Sequence, residues 1–260
     1  MEDVVRLYEA VFYRKSVRQY KPEPLPMDEL FALQQETKEL EALLPEIPYA
    51  IEVVSQEKVK GLFTVKAPHY LCFYSKEGAE GMEENAGYIM EQMALILAAR
   101  GLGACWLGAA KPPKPMKKSA DGLDFVIMMA FGYPDEEPVR KDPKEFRRKP
   151  ISEVTDVAEC SELLEAVRLA PSAVNSQPWL VTGREGELLF SRIKPNLLKN
   201  PFMGPLNRID MGIALLHFRV AAAFSGKAIR ISMDPQQKTS AQPVPVPAGC
   251  LFSARVTWEK

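Results

Sequence analysis

The chain has 260 residues and a formal net charge of −1, with 33 Lys and Arg against 34 Asp and Glu. This length allows one large domain or two small ones with an ample core, and the balanced charge supplies no field to gather nucleic acid or an anionic membrane. No basic segment followed by an apolar core opens the sequence, and the most apolar run, 93–110, is broken by Arg100 and three glycines. The four cysteines, Cys72, Cys105, Cys160 and Cys250, lie far apart without Cys-x-x-Cys spacing. They read as reduced, buried thiols, and the expectation is a cytoplasmic protein.

Taken in order, Val4 to Tyr13 has helical spacing, with Val5, Tyr8, Val11 and Phe12 on its apolar side. It runs into Arg14-Lys15-Ser16-Val17-Arg18, a cluster of cations around a hydroxyl. Three prolines between Lys21 and Met27 predict extended chain. Asp28 is then placed to cap a helix through Leu30 and Leu33, a spacing that Leu40 and Leu44 continue more weakly. Tyr49–Ser55 and Tyr70–Tyr74 read as short strands, being rich in Ile, Val, Tyr and Phe. Asn85 to Arg100 predicts a strong helix with Ile89, Met93, Ile96 and Leu97 on one face, and Gly101 offers the left-handed position that ends it. Trp106-Leu107 begins a strand or turn, the basic, proline-rich 111–118 reads as a surface loop, and Phe125–Phe131 as a buried strand ending at Gly132-Tyr133-Pro134.

In the second half, Ser161 to Leu169 carries Leu163, Leu164, Val167 and Leu169 at helical spacing, with Ser161 as the expected N-cap. Pro171 must end that helix, because its ring disfavours the α conformation at Ala170 and it has no N–H for the ladder. From Ser172 to Gln177 the chain displays two hydroxyls and two amides between the helix and the apolar run Trp179-Leu180-Val181. Such a loop suits the polar edge of a planar ligand. Read alone, Ser and Asn after a helix describe a solvated turn equally well.

The plan also repeats. Tyr13-Arg14-Lys15 and Asp28-Glu29-Leu30-Phe31 align with Phe146-Arg147-Arg148 and Ser161-Glu162-Leu163-Leu164 at one constant offset. At a smaller offset Asn85-Ala86-Gly87, Gly101 and Phe125–Phe131 align with Asp210-Met211-Gly212, Gly226 and Cys250–Val256. Offsets that stay constant within an element and shrink only between elements are what loop deletions in one copy of a duplication would leave. The expected division is 1–145 and 146–260, two pseudo-symmetric halves forming one compact unit.

The run Ala170-Pro171-Ser172-x-x-Asn175-x-Gln177-Pro178-Trp179 resembles the signature of the nitroreductase family of FMN-dependent oxidoreductases. Arg14-Lys15-Ser16-Val17-Arg18 is similar to that family's first motif, and Leu102-Gly103-Ala104-Cys105-Trp106-Leu107-Gly108 to its third. The resemblance implies an α+β nitroreductase-like fold, a central mixed or antiparallel sheet flanked by helices. It implies an enzyme that takes hydride from NADH or NADPH onto N5 of bound FMN and reduces a nitroaromatic, quinone or similar small acceptor by ping-pong turnover. The flavin would carry the chemistry, so no catalytic acid or nucleophile and no metal is expected. By the same resemblance Arg14, Lys15, Ser16 and Arg18 would meet the phosphate and ribityl chain. Arg148, with Arg147 as its close rival, would add a further phosphate contact. Pro171, Ser172, Asn175 and Gln177 would meet the ribityl hydroxyls and pyrimidine edge, and the backbone of Trp106, Leu107 and Gly108 would lie against the ring. Trp106 serves equally well as a core residue.

The sequence departs from the family in placing the Pro-Ser-x-x-Asn motif in the second half, where a partner subunit would ordinarily lend it. At the matching positions Ser16 and Arg18 face Lys149 and Ile151, while Asn175 and Gln177 face Pro45 and Ile47. A fused duplicate with one surviving flavin site per chain accounts for both facts. That arrangement is compatible with a monomer, though an exposed helix face would also allow a homodimer. His69 and His217 lie in apolar runs and read as filler, and Glu83-Glu84 as a helix start. The competing class is a protein that binds or sequesters flavin without turnover.

Overall fold

The computed structural model describes residues 2–59, 65–110, 116–195, 202–237 and 244–259. Its chain divides into two compact units, Tyr13–Asp142 and a second made of Met1–Phe12 with Pro143–Lys260. The fold is α+β, with antiparallel sheets.

Within Tyr13–Asp142, α2 (Met27–Glu36) and α3 (Met82–Ala99) accompany β1 (Tyr49–Ser55), β2 (His69–Ser75), β3 (Gly103–Trp106) and β4 (Asp124–Gly132), which form one sheet in the order β1-β2-β4-β3. All seven residues of β2 are buried, as a continuous apolar run flanked on both edges requires. One face of the sheet presents Tyr70, Cys72, Tyr74, Met128, Ala130 and Cys105 to a core that Val54, Val59 and Val65 complete. Helix α3 is buried nearly all round, with Ile89, Met93 and Leu97 fully enclosed, so its apolarity reflects a central position. It ends on Gly101, whose φ of +74° is the left-handed conformation expected of a C-terminal glycine.

In the other unit, α1 (Glu2–Tyr13, of which Tyr13 already belongs to the unit above), α4 (Ser161–Leu169) and α5 (Met203–Phe224) accompany β5 (Trp179–Arg184), β6 (Glu187–Ile193), β7 (Ile229–Ser232) and β8 (Cys250–Trp258). Their order, β5-β6-β8-β7, has the same connectivity as the first sheet, and α5 likewise ends near a left-handed glycine, Gly226, at φ +71°. Phe218 of α5 packs edge-on against Phe190 with ring centroids 5.5 Å apart, and tilts against Trp258 at 5.8 Å. Tyr8 of α1 stacks on Phe224 with centroids 4.0 Å apart. That stack belongs to the unit Met1–Phe12 with Pro143–Lys260, so the compact units do not follow the simple division at 145.

Several boundaries differ from the sequence reading. Helix α2 ends at Glu36, leaving Leu40 and Leu44 outside it, and Pro26 is its N-cap, so Asp28 lies in the first turn, where the helix dipole favours a carboxylate. Cys160, not Ser161, precedes α4. Proline does set the other end of α4: Ala170 leaves the helix with ψ 143°. Of the loop expected over 111–118, residues 111–115 lie outside the described residues, and Met116 is buried in the core. All four cysteines are free, three of them buried, and no helix among the described residues is long and apolar enough to cross a membrane.

Candidate functional site

The residues singled out in sequence fall into two groups, one in each unit. The first group lies on extended chain after α1. Arg14 bridges to Val139, Ser16 to Ala104, and the Val17 N–H donates to the Ala104 carbonyl at 3.0 Å, so the motif runs beside β3. Gly103 permits this closeness: a Cβ there would meet the Val17 side chain at 2.7 Å. On its other side the segment is held by the chain after β4. The Asp135 N–H donates to the Gln19 carbonyl at 2.9 Å, the Lys21 N–H to the Tyr133 carbonyl at 2.9 Å, and the Arg140 guanidinium to the Arg14 carbonyl.

Two acids that the sequence reading did not single out organise this motif. Glu136 accepts the N–H groups of Arg18 and Gln19 at 2.7 and 3.2 Å and pairs with the Lys15 ammonium at 3.0 Å. Burial acts to raise the Glu136 pKa, but the Arg18 N–H, Lys15 and the Gln19 N–H outweigh it and hold the carboxyl below its ordinary value. Glu91, fully buried on α3, accepts from the Trp106 indole N–H at 2.8 Å and stands 4.0 Å from Nε of Arg14, itself only 3% exposed. Arg14 is thus an internal cation, Lys15 is engaged by Glu136, and Arg18 is exposed, its guanidinium hydrogen-bonded to the Ser16 carbonyl at 3.3 Å. Leu107 is buried with its N–H donating to the Met128 carbonyl at 3.0 Å, and Gly108 is exposed.

The second group is the loop after α4. Of the four non-glycine residues with positive φ among the described residues, three lie here: Val174 (48°), Asn175 (57°) and Gln177 (47°). The fourth, Arg147, lies in the segment to which the loop is tied. Asn adopts this conformation at small cost, but a β-branched valine does not, and such strain persists only where surrounding bonds over-determine it.

Those bonds are present. The Arg148 guanidinium donates to the carbonyls of Phe146, Leu169 and Ala170 and to Asn175 Oδ1, the last at 2.7 Å. The Asn175 amide donates to the Arg147 carbonyl at 3.0 Å. Gln177, buried, accepts the Lys149 N–H at 2.7 Å through its side chain and donates to the Asn175 carbonyl at 3.2 Å, while its own N–H donates to Ser172 Oγ at 2.9 Å. Beneath the loop, the buried Asp210 of α5 accepts the Ala173 N–H at 2.9 Å and contacts the Ser176 hydroxyl at 3.4 Å. Burial pushes the Asp210 carboxyl up to about 8, against the opposing pull of the Ala173 N–H and Ser176.

The polar groups expected to face a ligand are therefore of two kinds. Ser172, Gln177 and Arg148 brace the loop, with Pro171 and Trp179 buried at its ends, whereas Asn175 and the valine beside it are exposed. Within Ser172–Gln177 sequence spacing could not separate braces from contacts, because both are polar side chains in one short run. Neither histidine belongs to these groups: His69 accepts the Leu25 N–H at 2.9 Å and burial lowers its pKa, and His217 bonds the Ala166 carbonyl at 2.9 Å. No cluster of three or more metal-ligating side chains occurs among the described residues.

A family model described as "Putative TM nitroreductase" matches residues 6–222. The chain belongs to this nitroreductase family. Its fold is similar to that of a putative nitroreductase from Thermotoga maritima MSB8, which is 21% identical with a TM-score of 0.62 over 96% of this chain and 93% of that one. At that identity the likeness is one of fold. Two other solved structures match about half of this chain. An FMN-dependent nitroreductase from Clostridium difficile R20291 has 18% identity and a TM-score of 0.41, covering 52% of this chain and 92% of its own. Oxidised iodotyrosine deiodinase bound to FMN and 3-iodo-L-tyrosine has 20% identity and a TM-score of 0.39, covering 50% and 90%. No curated protein matches the chain.

Proposed function

We propose that this nitroreductase-family protein is an FMN-dependent oxidoreductase that uses NADH or NADPH to reduce a small acceptor such as a nitroaromatic or quinone by a ping-pong mechanism. The observation that carries this reading is the braced, strained loop Ser172–Gln177 in a chain that also presents the exposed Arg18 near Ser16 on an extended segment held beside β3. Held outside the ordinary backbone regions by more than six hydrogen bonds, the loop offers the exposed Asn175 amide in one position before any ligand arrives. Arg18 offers a guanidinium fork suited to two phosphate oxygens, and Ser16 a hydroxyl suited to the same group or the ribityl chain. Arg18, Ser16 and Asn175 fit the anionic and hydroxylated parts of FMN, and the buried Arg14 and Gln177 with the half-buried Arg148 and Ser172 serve as their supports. Lys15 adds charge near the same strand from its pair with Glu136. Backbone at Trp106–Gly108 supplies the edge against which a flat ring would rest. Bound FMN would supply the two-electron chemistry, accepting from the nicotinamide and passing to the second substrate.

The test is flavin retention by variants in each group. Arg18→Ala removes a charged donor worth about 1.5–3 kcal/mol, so FMN affinity should fall about 10- to 100-fold. Asn175→Ala removes a neutral contact and two braces, those with Arg148 and the Arg147 carbonyl, and should cost about tenfold. Equilibrium titration followed by flavin fluorescence reads both. A variant that keeps wild-type affinity removes that residue from the flavin assignment, and wild-type protein that fails to bind FMN at all overturns the reading.

A further inference from the structure

Asp210 is a buried acid that flavin chemistry does not use. It lies on α5 directly under the strained loop, 2% exposed, and joins it at two points, the Ala173 N–H and the Ser176 hydroxyl. We infer that the Asp210 carboxyl is the clip that holds Ser172–Gln177 in its ligand-ready shape, and that loss of its proton releases the loop.

The neutral acid satisfies both contacts. Its carbonyl oxygen accepts from Ala173, and its hydroxyl shares a hydrogen bond with Ser176. The carboxylate would carry a full charge into the same enclosed place, where two neutral hydrogen bonds are a poor substitute for water. Nearby charges do not answer it. On α5 itself, Arg208 is exposed and His217 is bonded to the Ala166 carbonyl. On α4, Arg168 pairs with Glu165 at 2.6 Å. From the segment before α4, Arg148 is directed at the Phe146, Leu169 and Ala170 carbonyls and Asn175, and the Lys149 ammonium at the Gln177 carbonyl. The loop itself carries no charged side chain. Burial is accordingly the dominant influence on this carboxyl, and ionisation is relieved by opening the loop to water.

The other unit contains the comparison. At the position matching Asp210, Asn85 of α3 accepts the Leu44 N–H at 3.0 Å and donates to the Leu44 carbonyl at 3.2 Å. An amide thus makes the same kind of clip, permanently neutral, ahead of the first strand. Asp210→Asn should therefore preserve the clip and remove its pH dependence.

The experiment is hydrogen exchange of the backbone segment 172–178 from about pH 5 to pH 9, spanning the rise toward the raised carboxyl value and the plateau above it, in wild type and Asp210→Asn side by side, with the segment around Leu44 as internal reference. By linkage the excess of wild-type exchange over the variant should rise by about tenfold per pH unit from the ordinary carboxylate range and level off above about 8, where the carboxyl is ionised in closed and open loop alike. The variant and the Leu44 reference should follow only the base-catalysed rise common to all amides. Equal pH courses for the loop in wild type and variant would overturn the proposal. Should the variant fail to fold, the loop-against-Leu44 comparison in wild type decides in the same way. The ligand-ready meaning of this shape rests on the flavin reading, so FMN affinity is measured in parallel. A matching alkaline loss in wild type alone supports both ideas, whereas an exchange transition in a protein that binds no FMN at pH 7 keeps the clip and removes the flavin.

Discussion

Glu91 is enclosed in an apolar helix and still meets a cation and an indole, a combination that local spacing does not announce. Removing one member of a buried pair leaves the other charge uncompensated, at a cost of about 3–5 kcal/mol. Glu91→Ala should therefore lower the unfolding free energy obtained from denaturant titration by that amount, because Arg14 loses its carboxylate. Glu91→Gln retains an acceptor for Trp106 and should cost less. A loss below about 1 kcal/mol for the alanine variant would show that the Arg14 pairing contributes nothing. The arginines, Ser16, Asn175 and Gln177 were legible in sequence because they sit in short runs. Glu91, Glu136 and Asp210 were not, since each acts on residues tens of positions away. For Glu91 and Asp210 the available signal was an acid within an apolar helix, which at Asp210 was reinforced by the polar match at Asn85; Glu136, in an acidic run after β4, gave none.

At the scale of elements, the loop after α4 stands out because its backbone, and not only its side chains, is unusual. The sequence located it between Pro171 and Trp179, and proline did end the helix at Ala170. Its left-handed residues were hidden, since nothing in the residue type Val174 suggests a positive φ. A left-handed conformation costs an L-residue about 1–2 kcal/mol, and Val174 is 84% exposed, so little packing opposes its replacement. Val174→Asn should stabilise the protein by about 1 kcal/mol, seen as a melting temperature higher by roughly 2–4 °C. A lower melting temperature would mean that the valine makes a contact worth more than the strain. The helix starts were read less well. Ser161 and Asp28 are good capping types, yet Cys160 and Pro26 take those places, because the preceding turn of Ala158–Cys160 and the proline-rich approach set where each helix begins.

For the whole molecule, the repeat seen by sliding the sequence on itself has a counterpart in two sheets of the same strand order, each accompanied by a long helix ending near a left-handed glycine. We propose that the chain arose by duplication of one such unit. The placement of α1 with the second half was not legible, since the Tyr8–Phe224 stack joins opposite ends of the sequence. Family membership and fold rest on most of the chain, whereas the reaction rests on about a dozen residues. An anaerobic titration of FMN-saturated, desalted protein with NADH and, separately, NADPH tests the reaction most directly. One equivalent of NADH or NADPH per bound flavin should bleach the flavin absorption band completely, and a quinone or nitroaromatic should restore it. A protein that carries flavin and is bleached by neither nucleotide would contradict the proposed reaction, leaving a flavin-binding protein without turnover.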